Sequence, residues 1–154
     1  MKTRRSWREK LSHPNGGQIV AIPAKMAKRM GQGTLLIPKG TDVDATIRLA
    51  KRGQLIKQSQ IREHLAREAG ADHTCPIVTG IFVRIAAEAA AEDERAGKQR
   101  VTPYWRVIRD DGSLIEKLPG GPAGQAARLA EEGQRVVPGK KPRVAEFENH
   151  LVRL

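Results

Sequence analysis

Tyr104, Trp105 and Arg106 place a phenol, an indole and a guanidinium in consecutive positions, between Pro103 and the apolar pair Val107-Ile108. A phenol titrates near pH ~10 and stays protonated at neutral pH, so Tyr104 makes a poor nucleophile. Two readings fit the trio. In one it is the aromatic filling of a core, in a chain whose only aromatics are two Trp, one Tyr and two Phe. In the other, which we prefer, it walls a pocket with Gly120 and Gly121 that stacks on a base or adduct, Arg106 orienting the loop or bonding to backbone carbonyls. Cys75, the single cysteine, stands just before Pro76, where a helix dipole would lower the pKa of its thiol. A reactive acceptor or redox thiol is one reading of that position, and burial of a small apolar side chain at a helix start is the stronger expectation. His64, His73 and Cys75 lack a fourth ligand at natural spacing, so no metal is expected. Gly31-Gln32-Gly33-Thr34 lacks the lysine of a phosphate loop and reads as a turn, and no cofactor is implied.

The elements that must position these groups can be read from periodicity. Thr41 or Asp42 caps a helix with Val43, Ile47 and Ala50 on one face, ending before Gly53. Ser59 caps a second, with Ile61, Leu65 and Ala69 inward, stopped at Gly70-Ala71-Asp72. Thr74 caps a third, with Pro76 in its first turn and the stripe Ile77, Val78, Ile81, Phe82, Ile85, Ala86 and Ala89, running to about Ala96. Two helices joined by a short glycine-bearing turn have the layout of a helix-turn-helix. After them, residues 105–108 and Leu114-Ile115 flank the turn Asp111-Gly112 as a hairpin, which would be a wing. Residues 123–132 form a helix with Ala127 and Leu129 inward. Beyond it come the basic loop Pro138-Gly139-Lys140-Lys141-Pro142 and a last short helix marked by Val144, Phe147 and Leu151. Ahead of all this, residues 1–17 read as a basic arm, and residues 18–40 as two short extended pieces around a basic helical turn. The expected fold class is α+β, mainly helical: a winged helix-turn-helix domain over 41–133, with a basic N-terminal extension and a C-terminal loop and helix over 134–154.

Composition narrows the partners. The chain of 154 residues has 28 Lys and Arg against 17 Asp and Glu, a formal net charge of +11. Self-repulsion of that size implies a polyanionic partner, and a nucleic acid is the leading candidate. Lys2, Arg4, Arg5, Arg8, Lys10, Lys25, Lys28 and Arg29 against Glu9 put +7 of the charge in residues 1–31. No apolar run approaches the ~18 residues needed to cross a bilayer, and the basic start lacks the apolar stretch of a signal peptide, so a cytoplasmic location without membrane contact is expected.

Thr102-Pro103-Tyr104-Trp105-Arg106-Val107-Ile108, with Gly112 and Leu118-Pro119-Gly120-Gly121, resembles the active-site segment of the alkylguanine-DNA alkyltransferases, in which Pro-Cys-His-Arg-Val carries the alkyl-accepting cysteine. The resemblance extends over 41–133, through Gly53-Gln54-Leu55-Ile56, Gln60-Ile61, Val78-Thr79-Gly80 and Glu132-Gly133. It implies a DNA-binding domain without its chemistry, because Tyr104 replaces the cysteine and Trp105 the histidine. It is similar to the alkyltransferase-like proteins, which lack the cysteine, bind alkylated or bulky-adduct DNA and hand it to other repair factors. By position, the family's base-flipping tyrosine falls on Gln58 and its gap-filling arginine on Pro76, so base flipping is in doubt along with alkyl transfer.

With the stripe of the third helix turned inward, its opposite face presents Pro76, Thr79, Gly80, Val83 and Ala87, which offer few hydrogen bonds to base edges. Affinity is then expected from phosphate contacts by Lys57, Arg62, Arg84, Lys140 and Lys141 and the arm, with Gln58 nearby. The reading that follows is a non-enzymatic, monomeric, alkyltransferase-like protein that binds duplex DNA with low sequence specificity, favours alkylation damage and passes it to a repair protein. The alternatives are an alkyl or thiol transferase using Cys75, and an RNA- or protein-binding module that reuses the fold.

Overall fold

Ser6 accepts a hydrogen bond from the Glu9 backbone N–H (3.1 Å) and so starts α1 (Trp7–Leu11). The computed structural model describes residues 5–154, so Lys2 and Arg4 of the expected arm lie outside the described residues. Within the described part the arm reading is corrected. α1 packs against α3 (Gly40–Ile47) and α5 (Pro76–Arg95), with Leu11 buried and Arg8 ion-paired to Asp93. Burial of a leucine side chain supplies about 1.5–3 kcal/mol, several times the worth of a partly exposed ion pair, so the apolar anchor decides the docking.

The segment 18–40 has the expected form: β1 (Ile19–Ala21), α2 (Ala24–Met30) and β2 (Thr34–Leu36). β1 and β2 are antiparallel, with Ile19 opposite Leu36, and β2 continues in parallel register onto β4 (His73–Thr74). Asp72 fixes that junction by accepting from the Thr34 amide (2.9 Å) and hydroxyl (3.1 Å). Those two bonds, the amide first, hold the exposed Asp72 carboxyl below its usual pKa. The small sheet is thereby stitched to the turn between α4 (Gln58–Ala69) and α5.

α3 buries Val43 and Ile47, and Ala50 beyond its end, on the expected face, but it starts at Gly40 with Lys39 as N-cap. α4 buries Ile61 and Leu65 while Ala69 is exposed, and its N-cap is Lys57 rather than Ser59: the Gln60 side chain accepts from the Lys57 amide (2.9 Å) and donates to the Val152 carbonyl (2.8 Å). Gly70, with φ 72°, closes α4 in the left-handed conformation that a glycine adopts freely.

The faces of α5 match the expected ones only in part: Ala86 and Ala89 are buried and Phe82 and Ile85 pack against the core, but the start of the stripe faces out. Cys75, not Thr74, is its N-cap, and Thr79, Val83, Ala86, Ala87 and Ala90 are buried, whereas Ile77 and Ile81 are 66% and 52% exposed. Small side chains in this phase let α1 and α3 approach closely, which bulky isoleucines would prevent. Charge fixed the phase: Ile77 and Ile81 share a stripe with Arg84 and Glu88, which cannot enter the core cheaply.

The expected wing is also corrected. Tyr104–Arg106 forms a 3-10 turn, and β5 (Val107–Ile108) pairs in parallel with β3 (Ile56–Lys57), not with Leu114-Ile115. Leu114 and Ile115 are buried as irregular chain, held because Gln125 of α6 (Gly121–Glu131) accepts from the Ile115 amide (3.0 Å). α6 buries Leu129 as expected but Gln125 in place of Ala127, which is exposed. The hairpin is instead β6 (Val136–Val137) with β7 (Arg143–Val144), joined by the basic loop and bridged to Ser113. The last short helix is a 3-10 turn, Phe147–His150, followed by Leu151 bridged to Leu55. One hydrophobic core runs from Leu11 through Val83, Tyr104 and Leu129 to Val152. The fold is α+β and mainly helical.

Candidate nucleic-acid interface

Three elements meet at the N-terminal end of α5. Its first turns contribute Gly80, Val83 and Arg84, the start of α4 contributes Gln58, and the chain after β5 contributes Arg109 and residues 115–118. They enclose a cleft of about 160 Å³. Asp110 sets its edge: one carboxylate oxygen accepts from the Ser59 amide in the first turn of α4 (3.0 Å), and the other lies 3.8 Å from the Arg62 guanidinium. Arg62 is therefore partly neutralised, whereas Arg84 stands exposed at the rim.

Arg109 also lines a neighbouring cleft of about 500 Å³ with Lys140, Lys141 and Glu116. The loop between β6 and β7 is held there by the Leu114 amide, which donates to the Pro142 carbonyl (2.9 Å), and by the Val144 amide, which donates to the Gly112 carbonyl (3.0 Å). Arg84, Arg109, Lys117, Lys140 and Lys141 thus border two adjoining clefts that share Arg109. Arg109 and Lys117 were missed by sequence reasoning; the only signal for them was their charge, next to a turn mistaken for a wing.

The remaining expected site residues are distributed differently. Lys57 is half-buried and occupied in capping α4 through its backbone, and Pro76 is half-buried at the start of α5. Thr79 and Val83 are buried, and the Thr79 hydroxyl donates to the Cys75 carbonyl (2.7 Å), so neither offers a face to a ligand outside; Val83 forms only the floor of the small cleft. Ile77 and Ile81 take the exposed places on that helix. The Cys75 side chain is buried with 6% exposure, and its amide donates to the Leu36 carbonyl (2.9 Å). Among the described residues no cluster of three metal-ligating side chains occurs.

Tyr104 and Trp105 belong to the core, at 5% and 8% exposure. Their rings meet edge to face, 5.2 Å apart at 80°. Burial pushes the Tyr104 phenol above its usual pKa; Arg128 opposes that rise, and Glu94 and Glu88 add to it. Arg128 lies over the Trp105 indole at 3.8 Å and reaches the Glu94 carboxylate (3.1 Å). Arg106 does bond to a backbone carbonyl, that of Ala50 (2.8 Å), and forks onto Glu132 (2.9 and 2.7 Å). Burial by itself would raise the Glu132 carboxyl, but the Arg106 bonds outweigh it and hold the group below its usual value. The Trp105 N–H lies close enough to help keep that carboxylate charged without completing a hydrogen bond. Of the pocket expected from Tyr104, Trp105, Arg106, Gly120 and Gly121, only Trp105 and Arg106 border a cleft, one of about 590 Å³ shared with Arg48, Arg100 and Arg128. Gly120 and Gly121, with φ 81° and 66°, make the left-handed turn into α6 instead.

The chain shares its fold with an alkyltransferase-like protein of known structure. Two structures of one such protein superpose on it. S. pombe Atl1, in complex with damaged DNA containing O6-carboxymethylguanine, gives a TM-score of 0.51 at 17% identity, over 75% of this chain and 94% of that one. S. pombe ATL in complex with DNA gives 0.54 at 18% identity with the same coverage. No protein-family model and no curated protein matches the sequence. No described helix is long and apolar enough to cross a membrane.

Proposed function

We propose that the chain is a non-catalytic, alkyltransferase-like DNA-binding protein that docks duplex DNA on the N-terminal end of α5 and favours alkylated guanine. One observation carries the reading: in a fold whose solved neighbours hold DNA, Arg84, Arg109, Lys117, Lys140 and Lys141 gather around two adjoining clefts at that end. α4 and α5 then act as the helix-turn-helix, and the β6–β7 loop takes the place of a wing. Phosphate contacts by these cations supply affinity, and the small cleft between Gln58, Gly80 and Arg84 is the place for an altered base. The buried, protonated phenol of Tyr104 supports a protein that binds without accepting the alkyl group. Handing the lesion to a repair protein is the role this implies.

Fluorescence anisotropy of a short duplex, with and without one O6-alkylguanine, across a salt series tests it. The alkylated duplex should bind more tightly, and Arg84→Ala should weaken both and lower the salt slope by about 1. Equal affinity for both duplexes sinks the lesion preference. Tighter binding of RNA at matched salt sinks the DNA reading itself. Mass spectrometry of the protein after incubation with alkylated DNA should find Cys75 unmodified; an adduct there would make the protein an alkyl acceptor.

A further inference from the structure

A second cleft lies at the other end of the molecule, and its charge is as one-sided as that of the DNA face. Its 590 Å³ is bordered by six cationic side chains and two carboxylates. Much of that acidity is already spent, because Glu132 is forked by Arg106. Four of the cations remain open to a ligand in different degrees. Lys51 and Arg100 are exposed and form no ion pair among the described residues. Arg52 gives one N–H to the Glu131 carbonyl (2.9 Å), and Arg48 holds only the i,i+4 pair with Asp44 while 43% exposed. Self-repulsion among charges gathered around one hollow is costly unless an anion relieves it.

The cleft is separate from the proposed DNA face. Arg128 on its wall binds Glu94 in the last turns of α5, whereas Gly80 and Arg84 border the small cleft at the first turns. Fourteen residues of helix from Gly80 to Glu94 correspond to about 20 Å.

The aromatic wall determines what kind of anion fits. Arg128 covers one face of the Trp105 indole, Tyr104 abuts the ring edge to face, and the residue is 8% exposed, so no ring surface is free to stack on a base. Recognition there is by charge and guanidinium forks, which suit phosphate oxygens. We propose that this cleft is a second, base-independent phosphate-binding site, formed by Arg48, Lys51, Arg52 and Arg100. The phosphates come from the backbone of a second nucleic-acid segment or from free polyphosphate. This site stands whether or not the α5 end prefers alkylated guanine.

Trp105 supplies the readout, because its indole borders the same cleft and a polyanion bound there changes the field at the ring. Trp7→Phe leaves Trp105 as the sole tryptophan. Titration of that protein with inorganic tripolyphosphate should give a saturable change in emission, and calorimetry on the unaltered chain should give the same affinity. The double variant K51E/R100E, which alters two exposed side chains, should weaken this binding at least tenfold, and Arg84→Ala should leave it unchanged. Two duplexes labelled with a donor and an acceptor separate the sources. Energy transfer that K51E/R100E abolishes, with single-duplex binding retained, assigns the site to a second nucleic-acid segment; tripolyphosphate saturation without transfer assigns it to free polyphosphate. An unchanged tripolyphosphate affinity in K51E/R100E overturns the proposal, and so does equal displacement by poly-glutamate. Neither result touches the comparison of alkylated and plain duplex, which reads the other end.

Discussion

Replacing Gln125 by leucine removes the polar pin between α6 and the two irregular segments that flank β5. The side chain is fully buried, accepts from the Ile115 amide (3.0 Å) and donates to the carbonyls of Trp105 (3.1 Å) and Val107 (2.8 Å). Leucine is of similar volume, so a cavity contributes little and the loss comes from polar groups left dry. A buried amide without a partner costs about 1–3 kcal/mol, and each carbonyl bond forgone costs about 0.5–1.5 kcal/mol net. The total is about 2–6 kcal/mol, centred near ~4 kcal/mol and below the 5–15 kcal/mol of an ordinary domain, so the variant folds but is weakened.

Urea unfolding followed by circular dichroism reads that loss directly, with an unchanged slope showing that the end states are alike. A protein of this size should melt about 10 °C lower for the same change. Ile115 and Lys117 border the small cleft, so duplex affinity should fall as well, measured where Gln125→Leu is still folded. A destabilisation below about 1 kcal/mol would refute the argument, because the bonds would then be replaceable by water and the segment 115–118 would have another anchor.

Three further outcomes follow from the same geometry. Gly112→Ala should destabilise by about 2–5 kcal/mol in urea, since its φ of 86° strains an L side chain and a Cβ would sit 2.3 Å from the Phe147 ring. Glu132→Gln should cost most at neutral pH. The depressed carboxyl stabilises the fold above its unfolded pKa and loses that contribution as pH falls through the folded one, so unfolding of the two proteins at about pH 7 and about pH 3 should show the gap closing in acid. Ile77→Ser, at a position 66% exposed, should change stability by less than about 0.5 kcal/mol yet weaken duplex binding in anisotropy. Unaltered binding would move the DNA off this end of α5.

Long-range order in this chain was legible where spacing and shape agreed. Val43, Ile47 and Ala50, or Ile61 and Leu65, repeat at helical intervals with no competing pattern, and they are buried as expected. In α5 two apolar stripes overlap, and isoleucine outweighs alanine on any hydrophobicity scale. Alanine won because the contact with α1 and α3 is a matter of clearance, which a scale does not register. The wing failed for a different reason. Asp111-Gly112 does make a turn, closed by the Gly112 amide on the Arg109 carbonyl (2.9 Å), but the partner of β5 is β3, some fifty residues earlier. Pairing at that separation leaves no local mark. Nor does the docking of α1: five helical residues are held by the apolar Leu11 and Trp7 and by Arg8, which pairs with Asp93 and donates its amide to Glu92 (3.2 Å), more than eighty residues away.

The candidate site exposes a difference between a motif's geometry and its chemistry. Pro103 is buried, Arg106 bolts the turn to Ala50 and Glu132, and Val107 belongs to β5, so the residues that carry the resemblance to the alkyltransferase segment are those that hold the turn in place. Tyr104 and Trp105, which the resemblance sets against the nucleophile and its histidine, are packed in the core, and the edge-to-face pair is clamped from outside by Arg128. Breaking the buried Arg106–Glu132 pair costs about 3–5 kcal/mol, which is enough to account for that arginine by stability alone. The cations without a structural partner gather at the clefts instead: Arg84, Arg109, Lys117, Lys140 and Lys141 at one end and Lys51 and Arg100 at the other, the sets on which the two proposed binding sites rest.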